Sequence, residues 1–280
     1  MFESIILPIL IIAGVGLLFS LILALAYRFF SVKTNEKTEE VLAALPGANC
    51  GGCGFSGCEQ YAAAISEKGE KTSLCPVGGE TVAKQLAQIM GASYERADQR
   101  RAFVACNGGC SAVKDVSIYK GISSCKACND MFLGKKECKY GCLGLGDCMD
   151  ACPFEAIRME DGIAVIDHTR CTGCGSCVSH CPKHLIRLAG ENVRIFVACS
   201  NKDKGGVTRK VCKDGCIGCK KCEKNCPEGA ITVDDFCAVI DRTKCTQCGR
   251  CRDVCPTGAI VKIERCGTIV GAGEEESSVS

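Results

Sequence analysis

Four runs decide the reading of this chain: CKYGCLGLGDCMDACP at 138–153, CTGCGSCVSHCP at 171–182, CIGCKKCEKNCP at 216–227 and CTQCGRCRDVCP at 245–256. Three of them share the spacing C-x2-C-x2-C-x3-C-P, and the first reads C-x3-C-x5-C-x3-C-P. Thiols at three-residue steps in a tight turn can all point at one metal site, but they are poorly placed to cross-link distant parts of a fold. The chain has 28 cysteines in 280 residues. That density alone would suggest a secreted disulfide scaffold; the regular spacing argues instead for a reduced, metal-loaded protein.

The repeated spacing is the signature of bacterial two-cluster ferredoxins, in which the cysteine before proline ligates the neighbouring [4Fe–4S] cluster. Two runs make one module, so the expected fold is α+β with two ferredoxin modules in tandem, at 101–190 and 191–266. The modules are a duplication. Phe103-Val104-Ala105-Cys106 recurs as Phe196-Val197-Ala198-Cys199 at an offset of 93, and from Cys138 to Cys181 the offset falls to 74. The first copy therefore carries 19 extra residues between Cys106 and Cys138. Ala164-Val165-Ile166-Asp167 and Ala238-Val239-Ile240-Asp241 each predict a short strand between the two runs of a module.

The expected ligand sets follow from the signature: Cys171, Cys174 and Cys177 with Cys152; Cys216, Cys219 and Cys222 with Cys255; and Cys245, Cys248 and Cys251 with Cys226. One set is irregular. Leu145 stands where the second copy has Cys219, and the nearest spare thiol is Cys138, so Cys138, Cys142, Cys148 and Cys181 are assigned together. Cys106, Cys110, Cys125 and Cys128, spaced C-x3-C-x14-C-x2-C in and beside the insertion, offer a further iron–sulfur or zinc site, against the plainer reading of buried thiols. Cys237 replaces Ile163 of the other copy and reads as a small core residue. Cys199, Cys212 and Cys266 receive no role.

Upstream, GANCGGCGFSGC at 47–58 and CPVGG at 75–79 place Cys50, Cys53, Cys58 and Cys75 at C-x2-C-x4-C-x16-C. Glycines let the backbone turn tightly around a cluster and bring N–H groups to its sulfurs. A four-cysteine zinc site is the rival, but such sites usually pair two C-x2-C knuckles, and only one pair here has that spacing. A small helical [4Fe–4S] domain is expected over 41–100, with helices from Cys58 and over Thr81–Met90. Five clusters are expected in the chain, or six with the insertion site.

Ile5 to Tyr27 is 23 residues without a charge, roughly 34 Å of helix against a bilayer core of about 30 Å. A transmembrane anchor is read at 1–30 and a polar linker at 31–40. The start lacks the basic region of a signal peptide, and Arg28, Lys33 and Lys37 predict a cytoplasmic body behind a single pass through the cell membrane. An acidic, disordered tail is expected over 267–280. The net charge of +2 implies no nucleic-acid partner. Between Asn201 and Lys224, eight basic residues outnumber three acidic ones, so Lys220, Lys221 and Lys224 are candidates for docking an acidic electron donor. No nucleotide-binding loop and no nucleophile–base pair is visible, so no independent catalytic residue is expected.

The anchor, the GANCGGCGFSGC…CPVGG block and the downstream modules, in that order, resemble the B subunit of the Rnf ion-translocating electron-transport complex over nearly the whole chain. The resemblance implies a subunit that takes electrons from reduced ferredoxin and relays them towards NAD, coupled to Na⁺ or H⁺ translocation, with other Rnf subunits as partners. It also supports the use of Cys138, because the family carries a C-x3-C-x5-C-x3-C run there. The alternatives are a membrane-anchored polyferredoxin serving a hydrogenase or dehydrogenase, and a zinc-stapled interaction module.

Overall fold

The computed structural model describes residues 2–30, 36–96, 99–132, 134–263 and 269–270. Residues Phe2–Phe30 form one helix, α1, of 29 residues. Pro8 is past the first turn of this helix, so the bond that an N–H there would make to the Ser4 carbonyl is missing. Where its side chains are described, apolar groups stand exposed, Leu17 at 73%, Phe19 at 60% and Leu23 at 68%. Among the described residues no helix is long and apolar enough to cross a membrane; the described side chains of α1 run only from Ala13 to Arg28. The span expected over Ile5–Tyr27 is therefore not established by the fold itself.

The next helix, α2 (Glu36–Ala44), carries Glu36 and Glu39 in its first turn, where acidic groups oppose the positive end of the helix dipole. It starts inside the stretch read as linker, so residues 36–40 are helical. Residues 31–35, 267–268, 271–280 and Cys266 lie outside the described residues. With α3 (Cys58–Lys68) and α4 (Gly79–Met90), α2 closes a small domain around Val41, Leu45, Tyr61, Ile65 and Leu86. The Tyr61 hydroxyl donates to the Lys71 carbonyl at 2.8 Å and accepts from the Leu74 N–H at 3.1 Å. That pair of bonds fixes the loop leading into Cys75.

The first module runs through β1 (Arg100–Val104), α5 (Cys125–Phe132), α6 (Asp147–Asp150), β2 (Ile157–Glu160), β3 (Ile163–Ile166), α7 (Ser176–His180) and β4 (Ile186–Gly190). The second runs through β5 (Ile195–Val197), α8 (Gly205–Val211), α9 (Lys221–Lys224), β6 (Ile231–Asp234), β7 (Cys237–Ile240), α10 (Arg250–Asp253), β8 (Ile260–Ile263) and β9 (Ile269–Val270). In each copy the first and last strands of the repeat pair antiparallel, Val104 with Ile186 and Val197 with Ile260. In each, a tight hairpin joins the two cluster runs, Ile157 with Ile166 and Ile231 with Ile240. The AVID segments expected as strands are β3 and β7. The 19 extra residues carry α5.

The copies meet on a shared seam. Phe103 and Phe196, equivalent residues of the duplication, stack with ring centroids 4.7 Å apart at 52°. Ala198, Val261 and Ile263 complete this apolar cluster. Beside it, the Asn107 N–H donates to the Ala198 carbonyl at 2.9 Å, and the Ser200 hydroxyl donates to the Ala105 carbonyl at 3.1 Å. The seam thus joins the FVAC segment of one copy to that of the other, and it sets where their terminal cysteines lie.

Candidate iron–sulfur centres

A cleft of about 310 Å³ is lined by Cys152, Cys171, Cys174 and Cys177. A second, of about 320 Å³, is lined by Cys226, Cys245, Cys248 and Cys251. Cys222 lies in electrostatic reach of Cys216, Cys219 and Cys255. In the N-terminal domain Cys75 faces Cys50 and Cys53. Cys58 packs against the same core and opens α3, its N–H bonded to the Asn49 side-chain oxygen at 2.8 Å. Each cleft is a pocket several ångströms across, with thiols on its walls. Among the described residues, no group of three or more His, Cys, Asp or Glu is arranged around a single metal ion.

The remaining cleft of the first module differs from expectation. About 360 Å³ in volume, it is lined by Cys125, Cys142, Cys148 and Cys181, and Cys138 is not among its walls. Cys148 lies in electrostatic reach of Cys142, Cys125 and Cys181. The physical cause is Asp147, which stands between Leu145 and Cys148. Its carboxylate accepts from the Cys125 N–H at 2.7 Å, the Lys126 N–H at 3.0 Å and the Ser124 hydroxyl at 2.9 Å. It thereby caps the N-terminus of α5 and clamps the insertion onto the cluster run. Burial pushes the Asp147 carboxyl up, but these donors outweigh it and hold the group below the ordinary aspartate value. Cys125 is thereby brought to the wall of this cleft.

The insertion cysteines expected as one site are scattered. Cys110 is exposed, its N–H bonded to the Asp161 carbonyl at 2.7 Å. Cys128 is fully buried beside Leu143 and Cys125. Cys106 lines another cleft, of about 340 Å³, together with Cys138, Cys199 and Cys212. The last two are cysteines to which spacing alone gives no role. The signal is present in the duplication, because Cys212-x3-Cys216 mirrors Cys138-x3-Cys142 and both FVAC segments end in cysteine.

Burial dominates the acidity of the thiols. It pushes Cys148, Cys177, Cys212 and Cys222 up to about 12, and Cys251 up to about 11. Such thiols hold their protons at neutral pH, so ligation must expel them and loading releases protons. Cys216 and Cys199 go the other way, to about 6 and about 7, because the Cys237 side chain stands against both sulfurs; its one proton is donated to the Cys199 carbonyl at 3.4 Å. Cys237 is buried as expected, but it is also a hydrogen-bond donor between two sites, and that role raises its own pKa.

A full charge lies nearby. Lys136 is 4% exposed, and its Nζ donates to the Gly108 carbonyl at 3.0 Å and the Gly162 carbonyl at 2.9 Å. From there it favours the thiolate forms of both Cys106 and Cys142. Cleft volume, four thiols per cleft and inward-facing N–H donors all suit cubane clusters rather than bare metal ions.

Comparison with known proteins agrees with this geometry. A family model for an Fe-S cluster domain matches residues 45–77. Two models for a 4Fe-4S dicluster domain match residues 137–185 and 215–259, and residues 170–230. The B subunit of the ion-translocating oxidoreductase complex of Methanosarcina acetivorans is 45% identical over 237 residues, covering 84% of this chain and 90% of that protein. The B subunit of the Na⁺-translocating ferredoxin:NAD⁺ oxidoreductase complex of Acetobacterium woodii is 42% identical over 245 residues, covering 87% and 74%. The proton-translocating counterpart of Clostridium ljungdahlii is 42% identical over 244 residues, covering 86% of each. The chain belongs to the family of B subunits of the Rnf ion-translocating oxidoreductase complex.

Proposed function

We propose that this chain is the iron–sulfur electron-transfer subunit of a ferredoxin:NAD⁺ oxidoreductase complex, taking electrons from reduced ferredoxin and passing them towards NAD⁺ reduction coupled to Na⁺ or H⁺ translocation. The observation that carries it is the set of four-thiol groups along one chain whose relatives are named as subunits of that complex. Hydride transfer and ion pumping belong to partner subunits. Each bound [4Fe–4S] cluster would supply one reversible electron. The residues hold, insulate and tune it. The proposed ligand sets are Cys50, Cys53, Cys58 and Cys75; Cys125, Cys142, Cys148 and Cys181; Cys152, Cys171, Cys174 and Cys177; Cys216, Cys219, Cys222 and Cys255; and Cys226, Cys245, Cys248 and Cys251.

The sets adjoin one another. A Cβ placed on Gly52 would lie 2.8 Å from the Cys174 carbonyl oxygen and 3.1 Å from its Cα, so the N-terminal domain sits directly on the loop of the neighbouring set. Cys148 in turn lies in electrostatic reach of Cys177. Iron and acid-labile sulfide on the anaerobically purified full chain test the reading, with about four irons expected per set. Cys125→Ala should remove that set's iron or leave a three-iron cluster in its place. An unchanged iron count and EPR spectrum would sink the assignment of Cys125.

Electron uptake is proposed at the exposed Cys219, flanked by exposed Lys220, Lys221 and Lys224. Lys220 holds a left-handed backbone at φ 60°, while Gly146, Gly175 and Gly249 fill the equivalent turn positions at φ 94°, 87° and 87°. A non-glycine residue there costs roughly 1–2 kcal/mol, so the fold keeps a lysine at this turn at the expense of stability. Lys220→Gly relieves that strain and removes one charge. Combined with Lys221→Glu, it should leave the loop at least as stable and slow electron uptake from an acidic ferredoxin at low salt, the difference fading as salt rises. Equal rates at low salt would place docking elsewhere.

The buried Lys136 ammonium favours an added electron on the cluster of Cys142. In Lys136→Met, an EPR-monitored redox titration should show that cluster's midpoint moving to more negative potential. The shift should be on the order of tens of millivolts, 59 mV corresponding to 1.4 kcal/mol for one electron. A positive shift would contradict the charge argument.

The apolar, exposed α1 supports an anchor that holds the body on the cytoplasmic face of the cell membrane. Full-length chain should remain with membranes after carbonate washing, and a chain starting at Lys33 should be released. Retention of the shortened chain in cells lacking the partner subunits would refute an anchor in α1.

A further inference from the structure

Cys106, Cys138, Cys199 and Cys212 belong to none of the ferredoxin-type sets, yet they line one cleft. The duplication generates the group. Cys106 and Cys199 end the two FVAC segments that meet on the Phe103–Phe196 seam. Cys138 and Cys212 each stand four residues ahead of the first ligand of their module. Every copy thus contributes two thiols to a site that neither copy can complete alone.

We propose that these four cysteines hold a further [4Fe–4S] cluster on the seam, a one-electron relay that joins the cluster of Cys142 to the cluster of Cys216. Three observations carry it. The first is size: the cleft encloses about 340 Å³, within the range of about 310 to 360 Å³ of the three clefts lined by ferredoxin-type sets.

The second is the shape of the turns. At all four cysteines the N–H two residues onward faces the sulfur: Gly108, Tyr140, Asn201 and Asp214. The same turn stands at Cys50, Cys142 and Cys216, with Gly52, Gly144 and Gly218. Asn201, 2% exposed, adds a side-chain amide that donates to Cys138 Sγ at 3.7 Å. Clustered donors of this kind compensate the negative charge of ligating thiolates.

The third is connection to both neighbours. The Cys142 N–H donates to Cys106 Sγ at 3.4 Å, and its counterpart, the Cys216 N–H, donates to Cys199 Sγ at 3.2 Å. A ligand of each flanking cluster therefore touches a ligand of the seam cluster. When bound, the seam cluster would take up one electron as the cluster on one side is oxidised and give it up as the cluster on the other side is reduced. No bond is made or broken and no proton moves.

The inference rests on the iron–sulfur reading of the other sets, and the test separates the two. Native mass spectrometry and iron–sulfide analysis of the anaerobic full chain should give six clusters and about twenty-four irons. Cys199→Ala/Cys212→Ala should give five clusters and about twenty irons, with the remaining EPR signals retained as the control for folding. Should that variant fail to accumulate, the wild-type cluster count decides alone. Five clusters in the wild-type chain, or a zinc ion in the cleft, overturns the seam cluster and leaves the other sets standing. A chain without iron or sulfide overturns both.

Discussion

The stacking of Phe103 on Phe196 is the contact on which the arrangement of this protein depends. Each ferredoxin-like copy is small, its strands are two to five residues long, and much of its interior is thiol rather than hydrocarbon. Domains of that size bury too little apolar surface to hold a rigid relative orientation without help. The seam supplies the help by spending two aromatic side chains and Val261 on the contact between copies. Because the phenylalanines lie three residues before Cys106 and Cys199, the contact also fixes where two thiols project. Packing and the placement of these thiols are therefore set by one feature.

Within the first copy a carboxylate does comparable work. A cubane requires a fourth thiolate, and Leu145 cannot give one. Beside it stands an inserted helix whose first turn is capped by Asp147, two residues beyond Leu145, and on the proposed assignment this helix supplies the thiolate. The cap saturates N–H groups that a helix start leaves open, so one set of hydrogen bonds both stabilises α5 and delivers Cys125. It links residues 22 apart in sequence.

That separation explains what can be read from the sequence and what cannot. The sets built on Cys171, Cys216 and Cys245 are legible because their ligands are local: three thiols within seven residues can only share a turn. The duplication is equally legible, and β1–β4 and β5–β8 repeat it strand for strand. For the irregular set, proximity along the chain points to Cys138, whereas proximity in space brings Cys125 to the cleft. A tertiary cap on α5 makes the difference, and no local spacing announces it. The duplication marks the four seam cysteines as two matched pairs, but spacing within one copy carries no information about contacts between copies, so their common cleft is seen only in the fold. Cys237 is identified by size alone, since nothing local reveals a thiol that stands against both Cys199 and Cys216.

The copies are alike in their thiols but not in their charge, and the difference gives the path a direction. On the side of Cys106 and Cys142 stands the buried ammonium of Lys136. The position 74 residues on is Lys210, which is exposed to solvent, where water screens most of its field. The side of Cys199 and Cys216 has instead a neutral thiol donor, Cys237. A full charge in a low-dielectric interior outweighs a single weak dipole, so an added electron is favoured on the side of the first module. The exposed lysines stand at the opposite end, around Cys219. On the proposed uptake at Cys219, an electron would run down this gradient across the seam, into the first module, and on to the loop of Cys174 against which the N-terminal domain is packed.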